Sequence, residues 1–301
     1  MPRLSFAGLS IEVRADAPEA LADLAPIYAQ FATDAAPALV ITVERVDGFD
    51  RERGPEYPAF RREALPDGRL RVERFDAEGE IDVDARPLRA HFRVGPSPNS
   101  LEACLRIAAS LALPRAGALI LHASAVVHGG RALVFSGHSG AGKSTISAML
   151  PAADPAWSPL ADELLVLRRA DDGGGWEVVV PPYLGPAGIA HGARAPLAGI
   201  HFLVQAPFDR RDRLANGAAL RGLLRNVLVY VAEPATAAAV LAVAADVTAA
   251  TPCFTLHFRK DPQVAAVLLA PATVGDYPAH PGSDHVPVTR SAVTGSEGAT
   301  S

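Results

Sequence analysis

The sequence predicts an α/β chain of the α+β kind, built as two units, and three observations carry that prediction. Strand-length apolar runs alternate with stretches of helical rhythm along most of the 301 residues. The length suggests about two domains, and 49% of the residues are hydrophobic, ample for their cores. The stretch GHSGAGKST, Gly137 to Thr145, falls between an apolar run and a helical one.

Residues 1–112 read as the smaller, N-terminal mixed α/β domain. LSFAGLSIEVRAD and PALVITVERVD have strand character, with EALADLAPIYAQFA as a helix between them. Residues 49–87 are rich in charge, Gly and Pro, and RLRVERFDAEGEIDVDA within them suggests a hairpin around Glu78-Gly79. SLEACLRIAASLAL, Ser100 to Leu113, has helical rhythm with Ser100 as its cap. Glu78, Glu80, Asp82 and Asp84 alternate with apolar residues, as on the solvated face of a strand rather than in a metal site.

Residues 113–270 read as the second unit. ALILHASAVVHGGRALVFSG predicts two strands joined at His128-Gly129-Gly130, and TISAMLPA predicts a helix stopped by Pro151. In WSPLADELLVLRR two acids precede an apolar strand. GGGWEVVVPPY, APLAGIHFLVQA and TPCFTLHFRKD are further strands, and residues 216–250 read as helical. Residues 271–301, rich in Pro, Gly, Ser and Thr, read as a disordered tail.

Composition narrows the function. A net charge of −5 argues against non-specific nucleic-acid binding. No apolar run reaches the ~18 residues that cross a bilayer. The alternating N-terminus lacks a secretory h-region, and two cysteines, Cys104 and Cys253, make no disulfide framework. A cytoplasmic protein is expected.

The central stretch fits G-x-x-x-x-G-K-[ST] through Gly137, Gly142, Lys143 and Ser144. Glycines bring backbone close to a ligand, and successive N–H groups of Gly137, His138, Ser139, Gly140, Ala141, Gly142, Lys143, Ser144 and Thr145 would wrap a phosphate. A following helix N-terminus favours anions. Lys143 would meet the β- and γ-phosphates, and the Ser144 hydroxyl would bind Mg²⁺. Asp162 and Glu163 would supply a second metal ligand and a base; they face opposite sides on a regular strand but one side in a turn. His122 would act as donor or proton relay near the γ-phosphate. Arg259 and Lys260 either reach the phosphates or form a solvated pair.

The stretch LHASAVVHGGRALVFSGHSGAGKST resembles the core of HPr kinase/phosphorylase and its shorter serine-kinase relatives, which resemble ATP-dependent phosphoenolpyruvate carboxykinase in fold. His122 stands 15 residues before Gly137, and Asp162-Glu163 occupies the place of the family's acid pair. The resemblance covers residues 113–260. It implies a P-loop kinase core, ATP and Mg²⁺, with Lys143 catalytic, Ser144 and Asp162 at the metal, and Glu163 or Asp162 as base. It also admits a homo-oligomer. The N-terminal half is similar to leading domains of such kinases found near peptide-maturation genes. Thr145 replaces a common Glu, Glu163 replaces Asp, and PPYLGPAGIAHGARAPL lacks the Glu-x-Arg-Gly segment tied to HPr. These departures point away from HPr and from phosphorylase activity, towards transfer to a hydroxyl of a peptide, another protein or a small molecule. Two other classes fit the loop: an ATPase, which here lacks an LSGGQ signature, and a nucleotide-binding module without turnover.

Overall fold

Two mixed sheets, each made by a contiguous part of the chain, form the computed structural model described here. The structure describes residues 3–16, 21, 25–47, 49, 60–183, 190–230 and 233–270. The predicted tail at 271–301 lies outside them.

The first sheet holds β1 (Arg3–Phe6), β2 (Leu9–Ala15), β3 (Leu39–Arg45), β4 (Arg61–Ala64), β5 (Leu70–Glu73), β6 (Ala77–Asp82) and β7 (Leu88–Val94), with the short α1 (Ala25–Ala29) between β2 and β3. Their order is β1-β2-β3-β7-β6-β5-β4. The run expected as one N-terminal strand is a hairpin, because Ala7 and Gly8 take left-handed backbone and reverse the chain. The expected later hairpin exists, but Glu73 pairs with Glu78, so the turn is Arg74 to Asp76. Arg74 fixes it by donating to Asp76 through Nε at 2.8 Å.

Helix α2 (Pro98–Arg115) joins the sheets. Its cap is Ser97, not Ser100; the Ser97 side chain accepts from the Asn99 N–H, and Pro98 suits the first turn. Ser100 is buried and donates to Asp76. Leu101, Leu105 and Ala108, at helical spacing, share one core with Ile41, Val43 and Phe92 of the first sheet and Val166 and Val179 of the second.

The second sheet holds β8 (Leu119–His128), β9 (Arg131–Ser136), β10 (Trp157–Ala161), β11 (Leu164–Arg169), β12 (Trp176–Val179), β13 (Arg194–Gln205), β14 (Arg210–Arg213) and β15 (Cys253–Phe258). β8 and β9 form the predicted hairpin; Gly129 and Gly130 take φ of +57° and +73°, the conformation a two-residue hairpin turn needs. β9, β13 and β15 run parallel, with β13 in the middle.

Four helices complete the unit: α3 (Lys143–Ala153), α4 (Asn216–Leu224), α5 (Pro234–Ala250) and α6 (Val264–Leu269). Pro151 lies inside α3 instead of stopping it. Residues 216–250 are two helices rather than one. Between them Val227 bridges to Leu121 of β8, and Glu233 caps α5 by accepting from the Thr236 N–H at 2.7 Å. No described helix is long and apolar enough to cross a membrane.

Candidate functional site

The candidate site begins where β9 ends. The buried run Ala132 to Ser136 delivers the chain into the loop from Gly137 to Gly142, and α3 starts at Lys143. Ile146 and Leu150 anchor α3 in a core with Leu133, Phe135 and Phe258. Gly142 has φ +103°, and a Cβ there would lie 2.7 Å from the Phe258 ring, so the closing turn of the loop tolerates only glycine. The Gln205 amide donates to the Gly140 carbonyl at 2.7 Å, tying the loop to the end of β13. His138, Ser139, Gly140, Ser144 and Thr145 are exposed, while Ala141 is buried beneath them. The N–H groups that open α3, at Lys143, Ser144 and Thr145, have no acceptor within the helix, as at any helix N-terminus.

Lys143 is buried, and its Nζ donates to the carbonyls of Gly137 at 2.9 Å and His138 at 3.2 Å. Burial lowers its pKa, and the charge of Asp162 opposes that shift. Beneath it, Ser124 Oγ donates to the Lys143 carbonyl at 3.0 Å, and Ser147 Oγ donates to Ser124 Oγ at 2.5 Å. This buried pair locks the first turn of α3 to β8.

Asp162 and Glu163 occupy the turn between β10 and β11, the arrangement that lets both face one side. Ser144 Oγ donates to Asp162 Oδ1 at 2.9 Å, and the Glu163 N–H donates to the same oxygen at 3.0 Å. Glu163 has φ +76°, a left-handed conformation that costs a non-glycine residue about 1–2 kcal/mol. Such strain persists only where its surroundings impose it, and it clusters at functional sites. The Glu163 carboxylate is exposed and makes no hydrogen bond or ion pair among the described residues.

His122 stands on β8 opposite Leu164, the residue after Glu163. Its backbone N–H donates to the Asn226 carbonyl at 2.9 Å, but its ring is exposed rather than packed in the core. Partial desolvation first, then the charge of Lys143, lower its pKa below the ordinary 6.5; Glu163 and Asp162 oppose the shift. The four groups thus lie within electrostatic reach of one another.

Other candidates stand apart. Arg259 donates to Asp209 through Nη2 at 2.7 Å, a partner that neither reading of Arg259 and Lys260 named. Lys260 is exposed and forms no ion pair among the described residues. His128 lies against Trp157, ring centroids 4.4 Å apart. Cys104 and Cys253 are free and buried, and burial raises both thiols, Cys253 to about 12. The Ser124–Ser147 pair and Gln205 escape sequence reasoning, since isolated polar residues in apolar runs carry no periodic signal.

The donor set can hold a hard divalent cation. A hydroxyl and a carboxylate oxygen converge at 2.9 Å, and such a cation takes few protein ligands and keeps its waters. Among the described residues no group of three or more His, Cys, Asp or Glu forms a ready-made metal cage.

No family model matches the chain, and no curated protein matches it. Among solved structures it is similar to the HPr(Ser) kinase/phosphatase from Coxiella burnetii, at 14% identity and a TM-score of 0.29, over 50% of this chain and 93% of that one. The likeness is distant.

Proposed function

We propose that the protein is an ATP-dependent phosphotransferase that moves the γ-phosphate to a hydroxyl of a peptide, a protein or a small molecule. The observation that carries this reading is the Ser144–Asp162 hydrogen bond. It joins the residue after the loop lysine to an acid 18 positions on, beside the glycine-rich loop.

Phosphoryl transfer asks the protein for position and charge neutralisation. The loop N–H groups and Lys143 hold the phosphates. Ser144 and Asp162 would hold Mg²⁺, which would offset charge on the phosphate oxygens. Glu163, with its carboxylate unengaged, takes the proton of the acceptor hydroxyl as that oxygen bonds to the γ-phosphorus. The bond to the bridging oxygen breaks and ADP leaves. His122 stays neutral at neutral pH, because its pKa lies below 6.5, and donates to the transferring group or relays the proton.

The experiment is transfer from labelled ATP with Mg²⁺, using as acceptors the peptides and proteins encoded beside the gene, with Asp162→Asn as control. Label on an acceptor serine, lost in the variant, is the expected result. Phosphate release without label would replace this reading with an ATPase, and bound ATP with neither would leave a binding module.

A further inference from the structure

The loop site has a neighbour. β13 stands opposite Ser136, the last residue of β9, through Phe202, and opposite Phe258, the last of β15, through Gln205. It therefore overhangs β9 by Leu203 to Gln205, and the phosphate loop folds onto that overhang through Gly140. Just past the ends of β13 and β15 lies a cleft of about 730 Å³, walled by Pro207 to Asp209 on one side and by Arg259, Pro262 and Ala266 on the other. Ligands of parallel sheets gather outside the carboxyl ends of the strands. The ends of β9 and β15 are two strand spacings apart, about 10 Å, the scale of the span from the phosphates to the base of an extended nucleotide.

The walls suit a flat, mostly apolar ring. Phe208, a large apolar side chain, is 46% exposed at the cleft, with the Arg210 guanidinium 5.5 Å from its ring centroid and the His257 ring 5.6 Å away. The Arg259 guanidinium is pinned by Asp209, at 3.0 Å through Nε and 2.7 Å through Nη2, and the Arg259 backbone N–H holds Asp209 Oδ1 at 2.7 Å. Its charge is neutralised in place, so it presents a fixed planar face and does not compete with Lys143 for phosphate.

We infer that this cleft is the purine-binding end of the nucleotide site, with the base resting on Phe208 and the Arg259 plane while the phosphates lie in the loop. The inference rests on the nucleotide reading above and names the half of the ligand that reading leaves unassigned. Its energetic content is stacking, which tolerates sequence variation in the ligand and is independent of phosphate charge.

The test is calorimetric binding of ATP and of inorganic tripolyphosphate, each with Mg²⁺, to the full chain and to Phe208→Ala, Ala266→Phe and Lys143→Ala. Ala266 is exposed, so its enlargement fills the cleft without entering a core. Phe208→Ala and Ala266→Phe are each expected to weaken ATP about tenfold while leaving tripolyphosphate within about twofold; that second ligand also reports that the variants are folded. Lys143→Ala should weaken both ligands. Equal binding of ATP and tripolyphosphate by the native chain, or ATP affinity untouched by both cleft variants, overturns the cleft and leaves the loop reading intact. Binding of neither ligand by the native chain overturns both.

Discussion

Charge is used in opposite ways in the first sheet and around the glycine-rich loop of the second. In the first, acids and bases meet: Glu12 takes Arg3 from the neighbouring strand and Arg14 from its own, Glu80 takes Arg71 across strands and Arg69 from the turn before β5, and Glu78 takes Arg93 across strands. Arg3–Glu12, Arg71–Glu80 and Arg93–Glu78 are direct cross-strand pairs, which stabilise a sheet face. Around the loop of the second sheet, Lys143 is held only by carbonyls, Asp162 by a serine hydroxyl and a backbone N–H, and Glu163 by nothing described. A charge saturated by its opposite builds structure. A charge given only neutral partners stays available to a ligand.

The largest expected effect breaks the comparison at Lys143. Lys143→Ala should lower kcat/KM for transfer at least a hundredfold, since it removes a charge aimed at the reacting phosphate. Its melting temperature should fall only a few degrees, because two hydrogen bonds to carbonyls are lost and α3 keeps its core. Unchanged kcat/KM would place the loop outside the chemistry.

Glu163 sharpens the contrast, because its strain and its function can be separated. Glu163→Gly should relieve the left-handed backbone and stabilise the fold by up to about 1 kcal/mol. The same change should slow transfer about a hundredfold through loss of the base. Glu163→Gln keeps the strain and should show the kinetic loss alone. Denaturant melts and single-turnover rates on both variants read the two effects apart.

What the sequence made legible follows from where one local pattern decides the outcome. The G-x-x-x-x-G-K-S spacing placed β9, the loop and the start of α3, because glycine and lysine positions there are dictated by backbone geometry. The order of Asp162 and Glu163 before β11 was legible too, but their turn was not, since φ +76° at a glutamate has no sequence signature. The hairpin at Arg74 to Asp76 was misplaced by three residues because Gly79, the obvious turn residue, instead lets the Phe92 ring pack closely; an ideal Cβ would sit 2.3 Å from it. Residues 225–230 read as helical because of their alanine-rich flanks, although β8 recruits Val227, at the start of a valine-rich stretch, as a bridging partner. β4 and β14, with little apolar content, exist only because a neighbouring strand offers pairing. His201 went unremarked, and it carries the next prediction.

His201 sits 1% exposed on the central strand β13, stacked on Phe254 at 5.2 Å, with neither ring nitrogen in hydrogen-bond geometry. Burial, and secondarily the charge of Arg211, lower its pKa from 6.5 to about 3; a weak contribution from the Val134 backbone opposes this. Above pH 6.5 the group adds no pH dependence, since it is neutral in both states. As pH falls through 6.5 the unfolded imidazole takes up a proton that the folded one refuses, so stability falls by about 1.4 kcal/mol per pH unit until the folded value is reached. His201→Leu should flatten the stability curve between pH 6.5 and 5, measured by urea melts, and a curve of unchanged slope would mean the ring finds a proton acceptor on protonation.

The smallest effect is expected in the first sheet, and it is the one that tests whether saturated charge is only structural. Glu80 is partly exposed and shared between Arg69, at 2.5 Å, and Arg71, at 3.1 Å. Exposed ion pairs contribute little, because water and mobile side chains discount the Coulomb gain, so Glu80→Gln should cost under about 1 kcal/mol. The loss should shrink further in added salt, which screens surface pairs. Transfer kinetics should not change at all, for either the ATP or the acceptor. A raised KM for the acceptor alone, with ATP binding intact, would mean that the charged face of this sheet meets the substrate, and a charge saturated by its opposite would then serve a ligand as well as the fold.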